Sequence, residues 1–162
     1  MPQQVPFISS TMRVVPEWID YNGHMNVAYY VVLFDRCIDE LFGTLDVGIE
    51  YMARENSSTF TVEGHITYQK ELKVDAPVKV TLQIVDYDEK RLHLYLELHH
   101  EEEDFLSATW EQISLHVDMN TKRASGFPKG ALEKIEQMYQ AHKTLPRSSN
   151  IGRIIGIRKK QT

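Results

Sequence analysis

The chain has 162 residues, 42% of them hydrophobic by type and 25% charged, a size that suits one domain, expected over 1–162, with a core needing neither disulfide nor metal. Eighteen Lys and Arg against 23 Asp and Glu leave a formal charge of −5, which argues against a polyanion partner, so no nucleic-acid binding is expected. A single cysteine, Cys37, excludes an internal disulfide and a Cys-based zinc site, and no apolar run approaches membrane-spanning length.

Residues 7–15 read as a first strand, ended by Pro16, which cannot donate to a sheet ladder. A turn-rich segment follows, Asp20-Tyr21-Asn22-Gly23, and then a helical pattern. Val27, Tyr30, Val31, Phe34, Ile38, Leu41 and Phe42 recur at three- and four-residue steps, with Asn26 as N-cap and Gly43 just past the end. Ala28, Tyr29, Val32 and Leu33 add apolar groups off this stripe, so the first half of the helix is expected to be buried nearly all round.

From about residue 58 the period becomes two. Phe60, Val62, Gly64, Ile66 and Tyr68 are expected on one face of a strand, and Val78 to Ile84 and Leu92 to Leu98 alternate likewise. In the last strand Ile113, Leu115 and Val117 alternate with Trp110, Gln112, Ser114 and His116. A closing helix is expected over 128–142, with Leu132, Ile135 and Tyr139 inward and Pro128 in its first turn. Met12, Met25, Met52 and Met138 read as core fillers. An antiparallel sheet wrapped around one long central helix, an α+β architecture, satisfies both periods. The Thr, Tyr, His and Trp of the other strand face suggest burial against a second subunit, hence a homodimer or homotetramer.

Chemistry concentrates just before the long helix. Asp and Asn nucleate turns and Gly supplies positive φ, which alone accounts for the segment. Position adds a second reading: a helix N-terminus offers unpaired N–H groups to a developing oxyanion, and Asp20 is placed as nucleophile or general base. His24 suits either a hydrogen-bonding turn residue or a group that orients a carbonyl or water, and spacing does not decide between them. Glu63 and His65 share a strand face and offer a carboxylate across an interface or a plain polar surface. His99 and His100 point to opposite faces, so they do not form a metal pair, and residues 101–104 read as a solvated hairpin.

Asp20, Gly23, His24 and Asn26 in the pattern Asp-x-x-Gly-His-x-Asn, followed by Tyr30 and Asp35, resemble the motif of hotdog-fold acyl-CoA thioesterases of the 4-hydroxybenzoyl-CoA thioesterase type. The resemblance implies a hotdog fold and hydrolysis of an acyl-CoA to free acid and CoA without cofactor or metal. By position it implies Asp20 as the catalytic carboxylate and the backbone N–H of Val27 as oxyanion donor. Gly23, His24 and Asn26 would shape and orient the site; Tyr30 and, from its strand face, Glu63 are the candidates to stand behind them. Val27 and Asp35 depart from the Asn and Glu that many relatives carry there. The stretch from Pro16 to Met25 also resembles betainyl-CoA thioesterases, for which Trp18, Tyr21 and Trp110 would offer cation–π faces to a trimethylammonium. The alternatives are a hotdog enoyl-CoA hydratase, whose Asp and His stand one residue further apart, and a non-catalytic acyl-CoA-binding module. Lys122, Arg123 and Arg153 are candidates for CoA phosphates. Cys37 as the only cysteine and the absence of a basic-then-apolar leader suit a cytoplasmic protein, with residues 158–160 as a solvated basic tail.

Overall fold

The computed structural model describes residues 5–161. In chain order the elements are β1 (Phe7–Ile8), β2 (Met12–Arg13), α1 (Val27–Thr44), α2 (Ile49–Glu55), β3 (Ser57–Tyr68), β4 (Pro77–Tyr87), β5 (Arg91–His100), β6 (Leu106–Asp118), β7 (Arg123–Ala124) and α3 (Lys129–His142). The sheet is antiparallel in every pairing, with strand order β1-β4-β5-β6-β3; β2 also pairs β4, and β7 pairs β6. α1 crosses the concave face against β4, β5 and β6, the hotdog arrangement. No helix among the described residues is long and apolar enough to cross a membrane.

The core follows from the two periods. Leu33, Phe34, Cys37 and Leu41 on α1 are fully buried, against Val80, Leu82, Leu92, Leu94, Leu96 and Leu98 of β4 and β5. Burying a side chain of this size contributes roughly 1.5–3 kcal/mol relative to leaving it in water. Helix α1 runs past Gly43, contrary to the expected end. The left-handed residue that stops it is Asp46 (φ 57°), with Val47 N–H donating to Phe42 O (2.9 Å) and Asp46 N–H to Gly43 O (3.2 Å). That is a Schellman stop with Asp in the position glycine usually takes, and the Lys134 ammonium pairs with the Asp46 carboxylate.

Further expectations are corrected as well. The strand over 7–15 is two short pieces, because the pairing slips by one residue between Ile8 and Met12; Ser9 fills the gap, its Oγ accepting Val80 N–H at 3.0 Å. The first half of α1 is not buried all round, since Val27 and Val31 are exposed in the single chain. On β6 the faces are the reverse of those expected. Trp110, Gln112 and Ser114 pair with Leu96, Leu94 and Leu92 and therefore share the inner face, leaving Ile113 and Leu115 outside. On α3 the buried stripe is Ala131, Ile135, Met138 and His142, with Leu132 and Tyr139 only half-buried. Met52 is partly exposed and is no core filler.

A bulge explains the strand faces. In β3, Thr61 pairs with Ser114 and Glu63 with Ile113, so Val62 is an extra residue that flips the alternation. Gly64, Ile66 and Tyr68 face α1, whereas Phe60 and Val62 turn outward. The inner polar groups satisfy one another: Trp110 Nε1 donates to Gln112 Oε1 and Gln112 Nε2 to Ser114 Oγ, each at 2.6 Å.

Candidate active site

The segment 18–26 is a small hairpin fixed by main-chain bonds. Asn26 N–H donates to Trp18 O (2.8 Å), Asp20 N–H to His24 O (3.2 Å) and Met25 N–H to Leu72 O (2.7 Å). Gly23 has φ +82°, a conformation that its lack of Cβ permits at the tip. The hairpin delivers Asp20 beside the first turn of α1.

There the Asp20 carboxylate is held by two donors: Asn22 N–H on Oδ1 (2.8 Å) and Asn26 Nδ2 on Oδ2 (2.9 Å). The Asn26 amide, then the Asn22 N–H, hold its pKa below the usual carboxylate range, so the group is an anion with lone pairs to spare. Asn26 also caps the helix, its Oδ1 accepting Ala28 N–H at 3.0 Å. The Val27 N–H, at the start of α1, donates to no protein group among the described residues. An anionic carboxylate and an unpaired helix-terminal donor thus border one space, which suits attack on a carbonyl whose oxygen gains negative charge.

That space is an open cleft of about 410 Å³. Asp20, His24, Asn26, Val27 and Tyr30 all line it, so five of the residues singled out in the sequence converge. His24 brings a buried Nδ1 without a partner among the described residues. Gly23 shapes the hairpin tip. Glu63 does not join them within one chain: it lines a separate cavity of about 380 Å³ with His65, His93 and Glu111, where Arg153 also lies. Asp35 is exposed on α1.

The expected aromatic faces are differently disposed. Trp18 is buried, stacked on Tyr29 (5.5 Å) with the Arg36 guanidinium 5.2 Å over its ring, and Trp110 stacks on Phe34 (6.2 Å) beneath α1. Only Tyr21 of the three borders the cleft. Two further lining residues, Tyr68 at the end of β3 and Glu71 in the loop after it, are brought to the cleft by the packing of β3 against α1, which no local sequence signal marks. Tyr68 reaches the helix start, its hydroxyl donating to Val27 O at 3.2 Å.

A long helix cradled by an antiparallel sheet, with a cleft at the helix N-terminus, is the hotdog arrangement. The chain belongs to the thioesterase-like superfamily, whose family model matches residues 14–135. The betainyl-CoA thioesterase of Pseudomonas aeruginosa is 34% identical over 144 residues, 89% of this chain and 91% of that protein. An L-carnitine dehydrogenase/betainyl-CoA thioesterase of Rhizobium meliloti is 33% identical over 144 residues, there only 29% of the longer protein. Among solved structures, a Staphylococcus aureus protein in complex with CoA is 32% identical, covers 98% of each chain and has a TM-score of 0.89.

Proposed function

We propose that the protein hydrolyses an acyl-CoA at the Asp20 cleft, and that the acyl group is betainyl or a close relative. The observation that carries the reaction is the anionic Asp20 carboxylate, oriented by Asn26, beside the unpaired Val27 N–H. The thioester oxygen accepts from Val27 N–H, and Asp20 either attacks the carbonyl carbon or takes a proton from a water that does. Collapse of the tetrahedral intermediate breaks the C–S bond. The thiolate of CoA leaves and takes up a proton, and the acid is released, directly or after water cleaves an acyl-Asp20 anhydride. A thiol with a pKa near ~8.5 leaves readily, so the site needs no strong general acid. Losing one oxyanion donor typically costs ~10²–10³ in rate, a scale on which one N–H matters.

The CoA-bound neighbour supports a CoA ester as substrate, and the Pseudomonas aeruginosa relative supports betainyl as the acyl group. Thiol release from a panel of acyl-CoAs, betainyl-CoA among them, tests both points. Turnover of betainyl-CoA with stoichiometric free thiol is expected; hydration of an enoyl-CoA, or binding without turnover, would overturn the reading.

A homodimer or homotetramer completes the proposal. β3 is an edge strand of 12 residues whose outer side pairs with nothing among the described residues. Phe60, Val62, Tyr68, Val27 and Val31 are exposed along it and on the adjoining start of α1. Long bare edges flanked by apolar side chains favour pairing with another copy. Such a pairing is the route by which Glu63 of a second copy would approach the cleft.

A further inference from the structure

We propose that Tyr30, Tyr68 and Glu71 form a subsite that reads a quaternary ammonium at the acyl end of the substrate. The inference rests on the thioesterase reading and assigns residues to the acyl specificity that the reading leaves open. It begins with where the acyl group must lie. A carbonyl bonded to Val27 N–H and reached by Asp20 leaves the acyl chain next to the groups that adjoin the first turn of α1. Tyr68 is tied to that turn through its bond to Val27 O (3.2 Å), and Tyr30 stands one turn further along. The two rings meet edge to face, with centroids 5.0 Å apart and planes at 86°. Tyr30 is buried at the floor of the cleft and Tyr68 is half-exposed at its mouth.

Two carboxylates and one ammonium line this corner, which leaves it net negative. Glu71 lines the cleft and makes no ion pair or side-chain hydrogen bond among the described residues, and it helps raise the Tyr30 hydroxyl pKa, behind the larger effect of burial. Asp20 adds a second carboxylate. Lys70 also lines the cleft, with its ammonium 4.0 Å over the Phe105 ring. Anionic acyl ends would meet two carboxylates here. A trimethylammonium has no N–H to satisfy, sheds water easily, and is attracted both by tyrosine π systems and by an unpaired carboxylate. In a betainyl thioester that nitrogen is one methylene from the carbonyl carbon, so it lies close to wherever the carbonyl is held.

The test compares a cation with its neutral carbon isostere. Betainyl-CoA and 3,3-dimethylbutanoyl-CoA have the same shape at the acyl end and differ by one charge. Wild type is expected to favour the cation in kcat/KM by about tenfold or more, and Glu71→Gln and Tyr68→Leu each to cut that ratio by about fivefold or more. Equal kcat/KM for the two esters would overturn the subsite while leaving the hydrolase reading intact. Titration calorimetry with the matching thioethers, which cannot be hydrolysed, reads the subsite independently of turnover. Tighter binding of the cationic thioether, lost in Glu71→Gln, supports the subsite even if no thiol is released; equal affinities overturn it.

Discussion

Asn26 occupies two positions at once: its carbonyl oxygen caps α1 and its amide nitrogen orients Asp20. An amide accepts through its oxygen and donates through its nitrogen at two separate atoms, whereas an ionised Asp could supply the cap but no donor for the carboxylate. Asn26→Asp separates the roles. Stability should stay within ~1 kcal/mol of wild type because Asp caps as well as Asn. Turnover should fall at least about tenfold, with its acid limb moved to higher pH, because a second carboxylate raises the pKa of Asp20. Kinetics at several pH values with a parallel urea titration check this. His142 offers a second residue-scale test. It is fully buried, its Nδ1 accepts Ile84 N–H (2.9 Å), and burial pushes its pKa down to about 4. The unfolded chain therefore binds a proton near pH 6.5 that the folded chain refuses until about pH 4, so stability is whole above the first value and falls toward the second, by up to ~3 kcal/mol. His142→Asn keeps an acceptor without a titration, and urea unfolding at pH 7 and pH 5 should show a flatter dependence than in wild type.

At the scale of elements, the core stripe of α1, the apolar faces of β4 and β5 and the turn before α1 are legible in the sequence, because each follows one period or one turn rule over most of its length. Leu92 to Leu98 alternate cleanly and are all inward. What was not legible depended on partners. The extra residue in β3 is defined only by its register against β6, and the polar inner face of β6 is tolerable only because Trp110, Gln112 and Ser114 bond in series. The seven-residue α2 lacks a side-chain cap and was missed. Asp20, Gly23, His24, Asn26 and Val27 were found by motif, whereas Tyr68 and Glu71 reach the cleft through tertiary structure alone. Gly64 tests the β3 geometry directly: a Cβ there would collide with the Trp110 ring, itself fixed between Phe34 and Gln112. Gly64→Ala should destabilise the fold by about 1–3 kcal/mol in urea titration; an unchanged midpoint would refute the packing described.

At the scale of the whole molecule, one group of exposed apolar side chains lies together along the edge of the sheet. Phe60, Val62 and Tyr68 lie exposed on the β3 edge and Val27 and Val31 on the start of α1, and Ile154, Ile155 and Ile157 are each more than 80% exposed. Sedimentation at micromolar concentration should give a dimer or tetramer, and a stable, fully active monomer would contradict that assembly. The proposed chemistry rests on the Asp20 carboxylate beside the start of α1, which makes its substitution the most direct measurement. Asp20→Asn preserves size and turn propensity but removes the anion. Thiol release from betainyl-CoA, or from the best ester of the panel, should fall at least ~10²-fold while affinity for the ester stays near that of wild type. A folded Asp20→Asn protein that turns over at close to the wild-type rate would contradict the mechanism.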